Sequence, residues 1–157
     1  MRKVGLVALM GAMLFGLIGC SSNNTAGGSK GDTVTIGFTG PLSGAAAYYG
    51  ERTLQGLEMA AEEINDAGGF EVDGKTYKLE IKALDDKYLP NEAAANAKRL
   101  VQEDKAPIIF TPHSGGVQAL QVFNERDKFI IGAYTSEPGV VESGNELTVQ
   151  VAPQYSG

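Results

Sequence analysis

Cysteine and histidine are almost missing from this sequence, and their scarcity excludes several kinds of site. Among 157 residues there is one cysteine, Cys20, and one histidine, His113. A single cysteine forms no disulfide within the chain, and a metal site would have little beyond scattered carboxylates to draw on. The nucleotide-binding patterns G-x-x-x-x-G-K-[ST] and G-x-G-x-x-G are absent as well. We therefore expect neither a metal nor a cofactor.

Positive charge is also scarce. The chain has 13 basic and 19 acidic residues, a formal net charge of −6. Arg2 and Lys3 lie in the first 19 residues, and without that segment 11 basic residues remain against 19 acidic ones, a net charge of −8. Nucleic acids bind basic surfaces, so we expect no nucleic-acid partner.

Residues 1–19 have the pattern of a cleaved export signal. Arg2 and Lys3 precede an apolar run over residues 4–18, which is shorter than the roughly 20 residues that a membrane-spanning helix needs. The run ends in Leu17-Ile18-Gly19-Cys20, which resembles the lipobox of bacterial lipoproteins. That resemblance implies cleavage after Gly19 and a diacylglycerol on the sulfur of Cys20. The alternative is an uncleaved anchor in which the cysteine occurs by chance.

Residues 20–31 are predicted to be a flexible tether, because the sequence SSNNTAGGSKG that follows Cys20 offers no bulky apolar side chain to bury. An exported, membrane-anchored protein whose folded part faces the periplasm or the cell exterior is the resulting expectation. Residues 32–157 are long enough for one domain and too short for two.

Strand and helix patterns alternate along residues 32–157. Short β-branched or apolar runs predict strands, and apolar residues at three- and four-residue steps predict helices. The predicted strands are 33–38, 77–84, 107–110, 129–133 and 147–151. The predicted helices carry the apolar stripes Leu54, Leu57, Ala60, Ala61, Ile64; Ala93, Ala94, Ala97, Leu100, Val101; and Val117, Leu120, Phe123. This alternation predicts an α/β fold, a parallel sheet with helices on both faces.

Ligands of such sheets bind outside the carboxyl ends of the strands, which here are followed by loops 40–49, 85–90, 111–116 and 134–138. In the third of these loops, the Ser114 hydroxyl and the backbone N–H groups around Gly115 would converge on an anion at a helix start, and a carboxylate suits that position. The alternative is that Ser114 is an N-cap that satisfies the same N–H groups internally.

The fourth loop offers hydroxyls, carbonyls and an aromatic ring at one place. Tyr134, Thr135 and Ser136 suit an ammonium group together with a side chain, although an ordinary turn closed by Pro138 has the same composition. The adjacent rings of Tyr48 and Tyr49 stand at a loop-to-helix junction. Either they line a pocket, or one of them packs or lies on the surface.

A spaced set of motifs resembles one family. The segment I-G-F-T-G-P-L-S-G over residues 36–44 is followed by Tyr49-Gly50, by Gly56 and I-N-D-A-G-G over residues 64–69, and by Asp85-Asp86 with Pro90. Together they resemble the branched-chain amino-acid type of periplasmic solute-binding protein, the receptor of an ABC importer. The resemblance implies the first lobe of a type I periplasmic-binding-protein fold, incomplete and without the second lobe. It further implies no enzymatic activity, an amino acid or similar small carboxylate as ligand, and ABC permease subunits as partners.

The resemblance also assigns roles to single residues. It implies that Ser114 bonds the ligand carboxylate, that Ser136 bonds carboxylate and ammonium, and that Tyr49 lines the side-chain pocket. Tyr134 stands where leucine-binding members have a small residue whose carbonyl meets the ammonium, so its ring departs from the family pattern. Many relatives join the positions of Tyr88 and His113 with a disulfide, which this sequence lacks.

Two other functions fit parts of the sequence. An enzyme would use His113 as base and Ser114 as nucleophile, although no G-x-S-x-G elbow surrounds the serine. A ligand-sensing lipoprotein of the same fold, acting on a signalling partner, is the second alternative.

Overall fold

A computed structural model describes residues 32–137, 139–140 and 144–153. Three sequence expectations lie outside these residues: the leader with Cys20, the tether, and the end of the fourth loop at Pro138. The elements in chain order are β1 Asp32–Gly40, α1 Ala47–Asp66, β2 Phe70–Val72, β3 Lys75–Asp85, α2 Pro90–Gln102, β4 Ile108–Thr111, α3 Ser114–Gln121, α4 Asn124–Asp127, β5 Ile130–Ala133 and β6 Thr148–Gln150. None of the described helices is both long and apolar enough to cross a bilayer.

The described strands form one sheet in the order β2-β3-β1-β4-β5-β6. Strand β1 pairs in parallel with β3 on one side and with β4 on the other, and β4-β5 and β5-β6 are parallel too. Strand β2 pairs antiparallel with β3 through the turn Asp73-Gly74, in which both residues have positive φ as a tight hairpin requires. The mostly parallel α/β sheet predicted from the alternation is confirmed.

Helices α2 and α3 cover one face of this sheet and bury the main core. The stripe of α2 is buried at Ala93, Ala97 and Leu100, because these positions recur on one side of the helix. Gly37 on β1 lets the helix approach, since a Cβ there would lie 3.1 Å from Cδ1 of Leu100. Further buried members of this core are Ile109, Val117, Leu120, Phe123, Phe129, Ile131 and Ala133.

Helix α1 lies on the opposite face and leaves much of its apolar stripe accessible. Ala61 is buried, but Ala60 is exposed and the Ile64 side chain is 38% exposed. Between the helix and the sheet is an apolar cavity of about 480 Å³, lined by Leu57, Ala60, Ala61, Ile64 and residues of β1, β3 and β4. The apolar stripe of α1 therefore faces the sheet, and Ala60 and Ile64 on it remain accessible.

Candidate functional site

Four parallel strands end at one edge of the sheet, and this places the four loops in which a ligand site was predicted next to one another. The register pairs Gly40 with Asp85 and Thr111 with Ala133, so β1, β3, β4 and β5 end close to the same level. The loops that follow them are the four loops singled out in the sequence. Their convergence follows from the parallel register.

Asp85 joins the first of these loops to the second. Its carboxylate accepts hydrogen bonds from the backbone N–H of Leu42, from the Ser43 hydroxyl and from the N–H of Lys87. Partial burial raises the pKa of Asp85, but these three donors and the positive charge of Lys87 outweigh it, and the pKa lies below its ordinary value. The Asp85 carboxylate therefore holds the loop after β1 in place through two of these hydrogen bonds, those from Leu42 and Ser43.

A buried polar network lies beneath the second and third loops. Asp86 is fully buried and accepts hydrogen bonds from the Thr39 hydroxyl at 3.1 Å and from the N–H of Tyr88 at 2.9 Å. Its Oδ2 also lies 2.9 Å from Nε2 of His113, which is buried as well. Asn96 of α2 adds a bond to the Thr39 hydroxyl at 3.2 Å. Buried polar groups need such partners, and this network satisfies them.

His113 is the N-cap of α3. Its Nδ1 accepts the N–H of Gly116 at 3.0 Å, so the ring proton belongs on Nε2, which donates to Asp86. Gly116 has no room for a side chain, since a Cβ would lie 2.6 Å from Oγ1 of Thr111. Because both ring nitrogens are engaged away from Ser114, this geometry gives the serine no histidine base.

The Ser114 hydroxyl does not cap the helix, so the N-cap alternative is wrong. Its Oγ lies 3.0 Å from Oγ1 of Thr135, which joins the third loop to the fourth. Thr135 is 8% exposed and also accepts the N–H of Glu137. Among the described hydrogen bonds, none gives an acceptor to the N–H groups of Ser114 and Gly115 at the start of α3. These groups are available to an anion.

Tyr49 holds the first loop against the third and fourth. Its hydroxyl lies 2.8 Å from the carbonyl oxygen of Pro112 and 3.2 Å from that of Tyr134, and its single proton is shared between these two acceptors. Burial, followed by the neighbouring phenols of Tyr134 and Tyr88, raises the pKa of Tyr49. Its neighbour Tyr48 is 70% exposed, with the Arg52 guanidinium over its ring. Of the two adjacent rings, Tyr49 is the one at the site.

A cavity of about 380 Å³ opens at this edge of the sheet. It is lined by Tyr49, Tyr134, Ser136, Ala152 and Pro153. Tyr134 also lines a neighbouring, more apolar cavity that reaches Phe38 of β1 and Leu57 of α1. The structure thus brings together Tyr49, Tyr134 and Ser136 at the cavity, and it joins Ser114 to Thr135, which lies between Tyr134 and Ser136 in the chain.

The sequence did not identify Asp86 and Thr39 as parts of the site framework. One feature of the sequence could have indicated them: Thr39, Asp86 and His113 are polar residues at the ends of three strands. These strands, β1, β3 and β4, are neighbours in the sheet. Tyr88 packs its ring on that of His113, with 4.7 Å between centroids and an interplanar angle of 32°. Tyr88 and His113 stand at the two positions that, by the family resemblance, a disulfide joins in many relatives. In this chain a contact between two rings takes its place.

Comparison with known proteins gives consistent matches. A family model described as periplasmic binding protein matches residues 33–157. An amino acid binding protein of Pseudomonas aeruginosa is 41% identical over 114 residues, covering 71% of this chain and 29% of the relative. The Leu/Ile/Val-binding protein of Escherichia coli is 27% identical over 140 residues, covering 88% of this chain and 36% of the relative.

Solved structures agree with the sequence matches. The substrate-binding protein LivJ of a Streptococcus pneumoniae branched-chain amino acid transporter, crystallised with isoleucine, superposes with a TM-score of 0.65 at 29% identity. The match covers 74% of this chain and 33% of LivJ. The chain spans about a third of the length of these relatives.

Proposed function

Because the chain belongs to the periplasmic binding protein family, we propose that it captures an amino acid or a related small carboxylate outside the cytoplasm and delivers it to the permease of an ABC transporter. The observation that carries the proposal is the start of α3, where His113 does the capping and leaves Ser114 and Gly115 free to meet a ligand. Its relatives include proteins described as binding amino acids.

A carboxylate is the group that this helix start would hold. The free N–H groups of Ser114 and Gly115 and the positive end of the α3 dipole favour a negative charge. The Ser114 hydroxyl adds a donor when Thr135 donates its own proton to the Oγ of Ser114, which leaves the Ser114 proton for the ligand. The α3 end of the site therefore fits the carboxylate shared by amino acids and simple organic acids.

The fourth loop would hold the rest of the ligand. Ser136 and Tyr134 line the same cavity as Tyr49, and the Ser136 hydroxyl and the Tyr134 carbonyl are both groups that can accept from an ammonium group. The Tyr134 carbonyl already receives the Tyr49 hydroxyl at 3.2 Å, so an ammonium would share it.

Attachment to the membrane through Cys20 is a further part of the proposal. A receptor that is tethered by a lipid stays at the membrane that holds its permease and needs no membrane-spanning helix of its own for this. The lipobox-like sequence at residues 17–20 supports this arrangement.

The carboxylate role is tested with the chain from Ser21 onward, labelled with ¹⁵N. Titration with leucine should shift the amide signals of Ser114 and Gly115, whereas leucinamide, which lacks the carboxylate, should not. Ser114→Ala should weaken leucine binding at least about fivefold, the equivalent of losing roughly 1 kcal/mol or more. Thr76→Ala, which removes an exposed hydroxyl at the start of β3 and away from the four loops, is the matched control. Equal shifts with leucinamide would overturn the carboxylate assignment.

A further inference from the structure

The only histidine of the sequence, His113, stands directly before the two free N–H groups of the carboxylate site. Its buried ring makes two hydrogen bonds: Nδ1 accepts the N–H of Gly116 at 3.0 Å, and Nε2 donates to the carboxylate of Asp86 at 2.9 Å. Only a neutral imidazole can accept with one nitrogen and donate with the other. The hydrogen bonds at the start of α3 therefore require the neutral ring.

The His113 ring has little room to turn. The Tyr88 ring packs on it with 4.7 Å between centroids. The backbone of α3 also lies close to it, since a Cβ on Gly116 would be 2.9 Å from Cε1 and 3.0 Å from Nε2 of the ring. Rotation would in addition break the hydrogen bond to the buried Asp86. A change at Nδ1 must therefore be met by a movement of the start of α3.

A second proton on the ring would go to Nδ1, because Nε2 already carries one. The new N–H of His113 would then point at the N–H of Gly116, and two donors 3.0 Å apart would have no acceptor between them. Helix α3 would lose its side-chain cap. Ser114 and Gly115 lie between these two residues in the chain, so their N–H groups would leave the position in which they converge on a carboxylate.

The positive charge of that proton works in the opposite direction, since a cation attracts a carboxylate. Its effect at the ligand is small for two reasons. The Asp86 carboxylate lies 2.9 Å from the ring and balances the charge. Tyr49 and Tyr134, which line the cavity, are 43% and 38% exposed, so water reaches the site and screens charges there. We therefore expect the loss of the cap to outweigh the added attraction.

Few other titratable groups face the ring among the described residues. Apart from Asp86, the phenol-bearing ring of Tyr88 is in contact with it, and the Asp85 carboxylate is turned away toward Leu42 and Ser43. The neighbours that the remaining elements contribute around the pair of His113 and Asp86 carry no charge: Thr39 of β1, Asn96 of α2, Thr111 of β4 and Gly116 of α3. A change of charge near neutral pH therefore belongs to His113 itself.

We propose that His113 is a positioning residue whose neutral form holds the carboxylate site in its binding geometry, so that solute capture weakens as the pH falls and the ring takes up a second proton. The inference rests on the proposed solute-binding function and adds a control of that site by pH. Because such coupling is reciprocal, a bound solute should in turn keep the ring neutral down to a lower pH.

The test uses the full ¹⁵N-labelled chain without a histidine tag, purified in detergent micelles and observed by NMR. The single histidine gives one Cε1 proton signal, which reports its protonation directly. Leucine is titrated at several values between about pH 8 and about pH 5.5, a range in which histidine changes its charge and leucine keeps both of its own.

The half-saturating concentration of leucine should be at least about fivefold higher at the acid end of this range, and saturating leucine should lower the titration midpoint of His113 by about 0.7 pH unit, the logarithm of the same factor. The amide signal of Gly116 should titrate with the midpoint of the ring, because its acceptor is the atom that is protonated. Leucine binding that is independent of pH, or tighter in acid, would overturn the inference and leave carboxylate capture intact. No leucine binding at any pH would instead count against the proposed function.

Two variants assign the effect to the ring. His113→Asn retains an oxygen that can accept the N–H of Gly116 but does not titrate, so its affinity for leucine should change by less than about twofold over the range. Tyr88→Phe removes the neighbouring phenol and should retain the pH dependence of the wild type. A pH dependence that persists in His113→Asn would show that another group controls the site. If that variant does not fold, the shift of the wild-type histidine midpoint by leucine decides the question.

Discussion

Nε2 of His113 lies 2.9 Å from Oδ2 of Asp86, and both side chains are buried beneath the loops of the candidate site. The same carboxylate accepts the Thr39 hydroxyl and the N–H of Tyr88. One acidic group thus connects β1, the loop after β3 and the N-cap of α3. The position of Ser114 follows from this connection, since His113 directly precedes it.

Asp86→Ala should lower the free energy of unfolding by about 3 kcal/mol, because three donors, two of them buried, lose their acceptor. Urea unfolding of the chain from Ser21 onward measures it. Thr39→Val removes one donor along with its bond and should cost less, about 1 kcal/mol. Asp66→Ala, at the exposed end of α1, is the control with little expected effect. A loss for Asp86→Ala no larger than that of the control would contradict the role of the network.

Asp85 should make part of the stability depend on acid. Its pKa is lowered in the folded chain by the hydrogen bonds from Ser43, Leu42 and Lys87, which outweigh burial. The stabilisation is therefore fully present above the unfolded pKa, near 3.8, and is lost as the pH falls through the lower folded value. Urea midpoints of the wild type and Asp85→Asn should differ at pH 7 and converge toward pH 2. Asp66→Asn is the control. If the difference in urea midpoint between the wild type and Asp85→Asn did not change with pH, the Asp85 carboxylate would not be the source of the pH-dependent stability.

Two glycines of α1 should respond to alanine with opposite signs. A Cβ at Gly50 would lie 1.9 Å from the carbonyl oxygen of Pro41, so Gly50→Ala must displace the loop after β1 and should cost about 1 to 3 kcal/mol or more. A Cβ at Gly56 meets nothing within 4 Å, and Gly56→Ala should stabilise the helix by about 0.5 to 1 kcal/mol. Thermal unfolding of both variants provides the comparison. Stabilisation by Gly50→Ala would show that the loop yields without strain.

Cys20→Ser should abolish attachment of lipid, because the thioether needs that sulfur and the chain has no other cysteine. Cells fed a fatty-acid probe and expressing the wild type should yield a labelled chain, whereas the variant should be unlabelled and released or retained as precursor. Ser21→Ala keeps the sulfur and should remain labelled. Equal labelling of the wild type and Cys20→Ser would contradict lipidation at Cys20.

The 157-residue chain by itself should bind its solute no more tightly than about millimolar. A micromolar receptor needs about 8 kcal/mol, and if the contacts divide evenly between two lobes, one lobe supplies about 4. Titration against a panel of aliphatic, aromatic and amide amino acids and simple carboxylates checks this. Micromolar binding to a stable monomer would show that one lobe suffices.

The element order was within reach of the sequence because it depends on local patterns. The α2 stripe is set by helical periodicity, and it was predicted. The short helix α4, Asn124–Asp127, was not predicted, since four residues carry no helical periodicity. The accessible part of the α1 stripe was missed for another reason: periodicity shows which side of a helix is apolar but not how much of it is covered.

The candidate site divides in the same way. The sequence by itself determined that hydroxyls and aromatic rings follow the strands at Ser114, Tyr134, Thr135 and Ser136, because strand ends can be read from local patterns. Tertiary structure decided which group caps α3 and which groups meet. His113 takes the capping role because the register brings Asp86 to its Nε2, and the Ser114 hydroxyl turns to Thr135, 21 residues away in the chain. Such partnerships join residues far apart in sequence, and the pairing of strands fixes them.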